Sequence, residues 1–120
     1  MIFVDTNAWI HHIRSNDQRL VGLLDEQRVV TCDVVIGELM LGAGVSREVG
    51  DLLLRIPAVP SPSAAETRAY IERHPPVFAG SGVGWADAQI IVAGARAGAR
   101  LYTSDRAAKE VWRALGFRLA

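Results

Sequence analysis

Met1-Ile2-Phe3-Val4-Asp5-Thr6-Asn7 opens the chain, and its reading decides the fold. Ile2 to Val4 is too short and too uniformly apolar for an edge strand, so it predicts a buried central strand of a parallel sheet. Asp5 then stands at that strand's carboxyl end, the rim outside which ligands and reacting groups of open α/β sheets gather. The same residues also suit a plainer role, in which Asp5, Thr6 or Asn7 caps the helix that begins around Ala8.

Outward from this stretch, strands and helices alternate. Trp9, Ile10 and Ile13 fall at helical spacing, Ser15-Asn16-Asp17 ends that helix and caps the next, and Leu20, Val21, Leu23 and Leu24 form the apolar face of a helix through Asp25. Arg28 to Thr31 predicts a second strand. Asp33 opens a helix in which Val34, Val35, Glu38, Leu39, Leu41 and Gly42 recur at three- and four-residue steps, and Gly42-Ala43-Gly44 breaks the pattern. Ser46 caps a helix from Arg47 to Ile56, and Pro57 to Pro60 has room for little more than a brief edge strand. Ser63 stands three residues before Glu66, the spacing of a capping box, on a helix that ends or bends at Pro75-Pro76. Gly80 to Gly84 is a loop without the Lys-Ser/Thr ending of a phosphate-binding loop. Trp85 to Ala97 is the clearest helix, Arg100 to Thr103 a strand, Arg106 to Leu115 a helix ended by Gly116, and Phe117 to Leu119 a last strand. The order predicts one three-layer α/β domain over residues 1–120, with a mostly parallel sheet flanked by helices.

Composition narrows the classes. Hydrophobic residues make up 50% of the 120 and charged residues 22%. No window approaches the roughly 18 consecutive apolar residues of a membrane span, and the start has no basic signal-peptide region, so a cytoplasmic protein is expected. The single cysteine, Cys32, rules out a disulfide framework and reads as a small buried hydrophobe among valines. Thirteen basic residues balance thirteen acidic ones, so any attraction for nucleic acid must come from a local patch. A mean hydropathy of +0.18 in so small a domain suggests apolar surface covered by another chain.

Four carboxylates carry the chemistry. Asp5 and Asp105 each follow a predicted strand and so share one rim of the sheet, whereas Glu38 and Asp87 align with the apolar stripes of their helices. A carboxylate on a core-facing stripe is costly unless paired or metal-bound, and no Lys or Arg occurs within one helical turn of either. Each acid alone has an ordinary explanation, as a cap, a favourable charge in a first helical turn, or a side chain reaching solvent. Converging, they would repel one another unless a cation neutralised them, and all-oxygen ligands favour Mg²⁺ or Mn²⁺ over zinc. Such an ion can orient and acidify water and stabilise an in-line displacement at a phosphodiester, so hydrolysis of a nucleic acid backbone is the expected reaction. Thr6, Asn7, Thr103 and Ser104 offer hydroxyl and amide groups at the same rim, either as supports for the site or as helix caps.

Together Ile2-Phe3-Val4-Asp5-Thr6-Asn7, Glu38, Gly84-Trp85-Ala86-Asp87-Ala88 and Leu101-Tyr102-Thr103-Ser104-Asp105 resemble a PIN domain, and in size and ordering the VapC toxins of bacterial type II toxin-antitoxin modules. The resemblance spans essentially the whole chain. It implies an endoribonuclease dependent on Mg²⁺ or Mn²⁺, with the family's acids on Asp5, Glu38, Asp87 and Asp105, Asp5 and Asp87 foremost as metal ligands, and Thr103 as a supporting hydroxyl. It also implies a homodimer, a small VapB-like antitoxin that blocks the acidic pocket, and a structured RNA such as tRNA as target.

Candidates for RNA contact are Arg14, Arg106, Lys109 and Arg113, although charges at such spacings often form a solvated helix face. His11 and His12 point about 100° apart on a helix, a poor chelating pair. Trp9, Trp85 and Trp112 read as core or interface aromatics, with base stacking a further role for Trp85 beside Asp87. Three rival functions exist. A haloacid-dehalogenase-like phosphatase would use Asp5 as nucleophile, but Asn7 stands where that chemistry needs an acid/base Asp. A receiver domain would need a phosphorylatable Asp after a central strand, and neither Cys32 nor Pro57 supplies one. The third rival is a catalytically silent RNA- or partner-binding domain, against which the retention of all four acids argues.

Overall fold

The computed structural model describes residues 1–42 and 44–120. The glycine break at 42–44 therefore lies partly outside the described residues, at Ala43. Along the chain run β1 (Ile2–Val4), α1 (Thr6–Ser15), α2 (Gln18–Asp25), β2 (Val29–Val30), α3 (Asp33–Gly42), α4 (Arg47–Arg55), α5 (Ala64–Arg73), α6 (Pro75–Phe78), α7 (Trp85–Arg96), β3 (Arg100–Tyr102) and α8 (Arg106–Ala114).

The sheet has the order β2-β1-β3 and is parallel throughout, with Phe3 opposite Val30 on one side and Leu101 on the other. β1 is thus the central strand that its apolar sequence requires, and all three of its residues are buried. From β1 the chain crosses first to β2, while β3 lies on the opposite side. The carboxyl ends of β1 and β3 therefore border the crevice where strand order reverses, the usual ligand position of open α/β sheets.

Both edges are brief, the first as its prolines predict and the second shorter than the sequence predicts. Pro57 to Pro60 contributes one parallel bridge, Ala58 to Thr31, and the expected last strand over Phe117 to Leu119 is one bridge, Leu119 to Leu101. Flanking prolines lack the N–H that would extend the first ladder. In the second, Phe117 N–H is bonded to Trp112 O and the Arg118 carbonyl accepts from the Trp112 indole, so the neighbouring backbone is already committed to α8.

The helix ends form largely as their residues dictate. Asp17 caps α2, Ser46 caps α4, and Ser63 with Glu66 makes both bonds of a capping box on α5. Pro75 and Pro76 do more than end α5: they open the short α6 at the first helical positions, where a missing N–H costs nothing. Helix α7 is buried from Ile90 to Gly94, so it lies against the sheet. At Gly94 an added Cβ would lie 3.4 Å from both Phe3 and Trp112, a measure of how closely α7 approaches β1. Trp9 and Trp112 are core residues, whereas Trp85 is 47% exposed at the start of α7, which leaves it the interface or base-stacking alternatives. Among the described residues no helix is long and apolar enough to cross a membrane.

Candidate active site

Asp5 is only 7% exposed, and both of its carboxylate oxygens are held. Oδ1 accepts from the Ala8 N–H at 2.8 Å, which makes Asp5 the cap of α1, and Oδ2 accepts from the Thr103 hydroxyl. Thr103 Oγ1 in turn accepts from the Asp105 N–H at 3.0 Å, and Asp105 Oδ1 caps α8 through the Ala107 N–H at 2.9 Å. One threonine thus ties the end of β1 to the end of β3. Thr6, one residue beyond Asp5, donates its hydroxyl to Glu38 Oε1 at 2.6 Å, which fixes α3 against the start of α1. Asp87 lies half-buried in the first turn of α7, a helix that also packs on α3.

The acids act on one another. Burial pushes the Asp5 carboxyl up to about 6; the bonds from Thr103 and Ala8 pull the other way, and the charges of Asp105 and Asp87 add to the rise. Asp87 is also raised, first by burial and then by the charges of Glu38 and Asp105. These couplings connect all four carboxylates into a single negative field. No cation answers it directly: the ion pairs of the described residues, Arg28–Glu26, Arg96–Glu66 and Arg106–Glu110, lie on the surface elsewhere.

The donor set is entirely oxygen, which suits a hard divalent cation. As placed, however, no three metal-ligating side chains among the described residues stand close enough together to enclose an ion. The structure therefore brings Asp5, Glu38, Asp87 and Asp105 to one rim without closing them into a coordination shell.

Of the supporting residues, Thr6 and Thr103 bond directly to acids, whereas Asn7 and Ser104 are exposed at the rim. The basic candidates divide. Lys109 and Arg113 of α8 line a cleft of about 460 Å³ beside the acids, together with Thr103 and Ser104. Arg106 instead pairs with Glu110 at 3.1 Å, and Arg14, exposed at the end of α1, does not line this cleft. Sequence reasoning missed His11, Asp17, Arg19 and Tyr102, which also line the cleft. The one hint was that Tyr102 directly precedes Thr103; nothing in the spacing of Arg19 and Arg113 brings them together.

Comparison with known proteins identifies the family. Residues 2–113 match the PIN domain. The chain is 37% identical over 122 aligned residues to Ribonuclease VapC32 of Mycobacterium tuberculosis, in strain CDC 1551 / Oshkosh and in strain ATCC 25618 / H37Rv alike, an alignment that covers 100% of this chain and 97% of that protein.

Proposed function

This chain belongs to the PIN-domain family, and from that premise we propose that it is a VapC-type toxin, a Mg²⁺- or Mn²⁺-dependent endoribonuclease whose reacting centre is the rim formed by Asp5, Glu38, Asp87 and Asp105. The observation that carries the reading is the mutual repulsion of those four acids with no Lys or Arg paired to any of them among the described residues. A divalent ion would remove that repulsion and draw the side chains inward, and when bound it supplies the positive charge that activates water and stabilises a phosphodiester under attack.

The chain's own residues then have distinct tasks. Asp5 and Asp87 are the foremost ligands, with Glu38 and Asp105 completing the negative site. Thr103 holds the Asp5 carboxylate in one orientation and Thr6 does the same for Glu38, the outer support that fixes how ligands point. Asn7 and Ser104 sit where an RNA phosphate or a water would meet neutral donors. The substrate is RNA in the cytoplasm, with a structured RNA such as tRNA the preferred target.

Two partners complete the proposal, a VapB-like antitoxin and a second copy of the chain. Met40, Leu41 and Leu54 are 72%, 93% and 73% exposed on α3 and α4, apolar side chains that a partner chain could cover. Because Glu38 lies on the same helix, an antitoxin covering this face would lie beside the acids it must block.

Incubating the purified protein with total RNA, with and without chelator, tests the reading beside Asp5→Asn and Asp87→Asn. Metal-dependent internal cuts that both substitutions abolish are expected. Cleavage persisting in chelator refutes the metal mechanism; binding without cleavage under any divalent ion points to a silent module. Growth arrest on expression, relieved by the neighbouring reading frame, is the expected sign of the antitoxin.

A further inference from the structure

A polyanion approaching four carboxylates is repelled, and a chain with no net charge cannot offset that repulsion globally. Positive charge must be gathered locally, within about a Debye length of the acids, roughly 8–10 Å at ordinary salt. One cavity gathers positive charge at the border of the rim. The 460 Å³ cleft beside the rim is walled by α1, the start of α2, the end of β3 and α8, and collects Arg19, Lys109 and Arg113 with His11 at its edge. Its size falls within the range of pockets that hold a small ligand or a short stretch of polymer.

Leu119 and Ala120 also line the cleft, and its one acidic side chain, Asp17, is already occupied. It accepts from the backbone N–H groups of Arg19 and Leu20 as the cap of α2, and from the Tyr102 hydroxyl at 2.5 Å. Among the described residues none of the three cations has an ion-pair partner. Arg19 lies over the Tyr102 ring, 5.3 Å from its centre, a cation–π placement that orients the guanidinium without neutralising it. Tyr102 is followed directly by Thr103, Ser104 and Asp105, so the cleft and the acidic rim share a border in the backbone itself.

We propose that this cleft is the subsite for the RNA backbone flanking the scissile bond, with Arg19, Lys109 and Arg113 as phosphate contacts and the Tyr102–Asp17 bond as the strut that positions Arg19. The inference rests on the ribonuclease reading for its substrate but makes separate demands. Phosphate contacts away from the reacting atoms add binding shared by ground and transition states, so losing them raises KM and leaves kcat nearly unchanged. Each contact to a single strand also contributes about 0.7 to the slope of log affinity against log salt.

The test compares wild type with the double variant Arg19→Gln/Arg113→Gln, using Arg100→Gln as a control at the opposite, amino-terminal end of β3. Both cleft arginines are exposed, so folding is not at stake. A labelled single-stranded RNA oligonucleotide is bound in chelator, and its cleavage is followed with Mn²⁺. Between 50 and 200 mM salt, wild-type affinity should fall about sevenfold more than that of the double variant, from the two lost slope contributions; the double variant's KM should rise with kcat within about twofold, and Arg100→Gln should match wild type. A double variant with the wild-type salt slope and KM, or an equal loss in Arg100→Gln, overturns the subsite and leaves the nuclease standing. Arginine-dependent binding without any cleavage by wild type overturns the nuclease and leaves the subsite standing. No RNA binding by wild type overturns both.

Discussion

Replacing Asp5 by asparagine removes the most strained charge in the molecule while keeping its shape. The Asn carbonyl can still accept from Ala8 N–H, so the α1 cap survives, and its amide can donate to Thr103 in place of accepting from it. What disappears is the cost of ionising a buried acid. In the metal-free protein the Asp5 carboxyl is raised from 3.8 to about 6, so the folded chain binds this proton more tightly than the unfolded chain. The corresponding stability is fully present below about pH 4 and is lost as pH rises through 6. The rise of roughly 2 units at about 1.4 kcal/mol each places the loss near 3 kcal/mol by pH 7.

Asp5→Asn should therefore be more stable than wild type at pH 7 in chelator, by up to about 3 kcal/mol, or on the order of 10 °C in melting temperature for a domain of this size. The gap should close by pH 4. Because other groups respond to acid in both proteins, including Asp17 with its lowered pKa, the difference between the two melting curves across pH isolates Asp5. Added Mn²⁺ should raise the wild-type melting temperature at pH 7 and leave that of the variant nearly unchanged. A stability gap independent of pH would refute the reasoning, because it would mean that the carboxylate carries no burial penalty.

Substitutions at three further positions probe the frame around the rim. Thr6→Val removes the 2.6 Å bond to Glu38; RNA cleavage should drop at least tenfold, with denaturant stability lowered by no more than about 1 kcal/mol, because half-buried Glu38 can turn to water. Tyr102→Phe deletes the strut to Asp17 and should cost about 1–2 kcal/mol in urea unfolding, as expected for a partly exposed hydrogen bond to a charged group. At Gly94 a methyl would make ordinary contact with Phe3 and Trp112, so Gly94→Ala should be tolerated in thermal melts, whereas Gly94→Leu should cost about 1–3 kcal/mol by forcing α7 off β1.

Residues that settle their own geometry were the ones legible in sequence. Ile2 to Val4 could only be a central strand, and Asp17, Ser46 and Ser63 could cap helices through bonds to backbone two or three residues away. The edges were less legible because a single bridge such as Leu119 to Leu101 depends on how α8 is seated, and the choice between core and interface for Trp85 stayed open because helical spacing does not say which neighbour covers a given face. The acids could be placed on one rim because strand ends in a parallel sheet point the same way, and because Glu38 and Asp87 had no base within a turn. The cleft could not be read: Arg19, Tyr102 and Arg113 come from three elements, and only the packing of α1, α2 and α8 around the end of β3 brings them to one cavity.

Asp5 and Asp105 were open to two interpretations, as helix caps or as members of a charged site, and the structure makes them caps without removing the charge. Capping alone does not call for a carboxylate, since Asn and Ser cap about as well. At position 5 the charge is opposed by burial and by two neighbouring acids, so for capping it is worse than neutral. Nor does Thr103 exhaust it: an ionised carboxylate has about four acceptor positions, and the bonds from Ala8 and Thr103 use two. A buried, oriented acid with acceptor capacity to spare, held in a form the fold itself disfavours, is what the proposed metal-ligand role requires of Asp5.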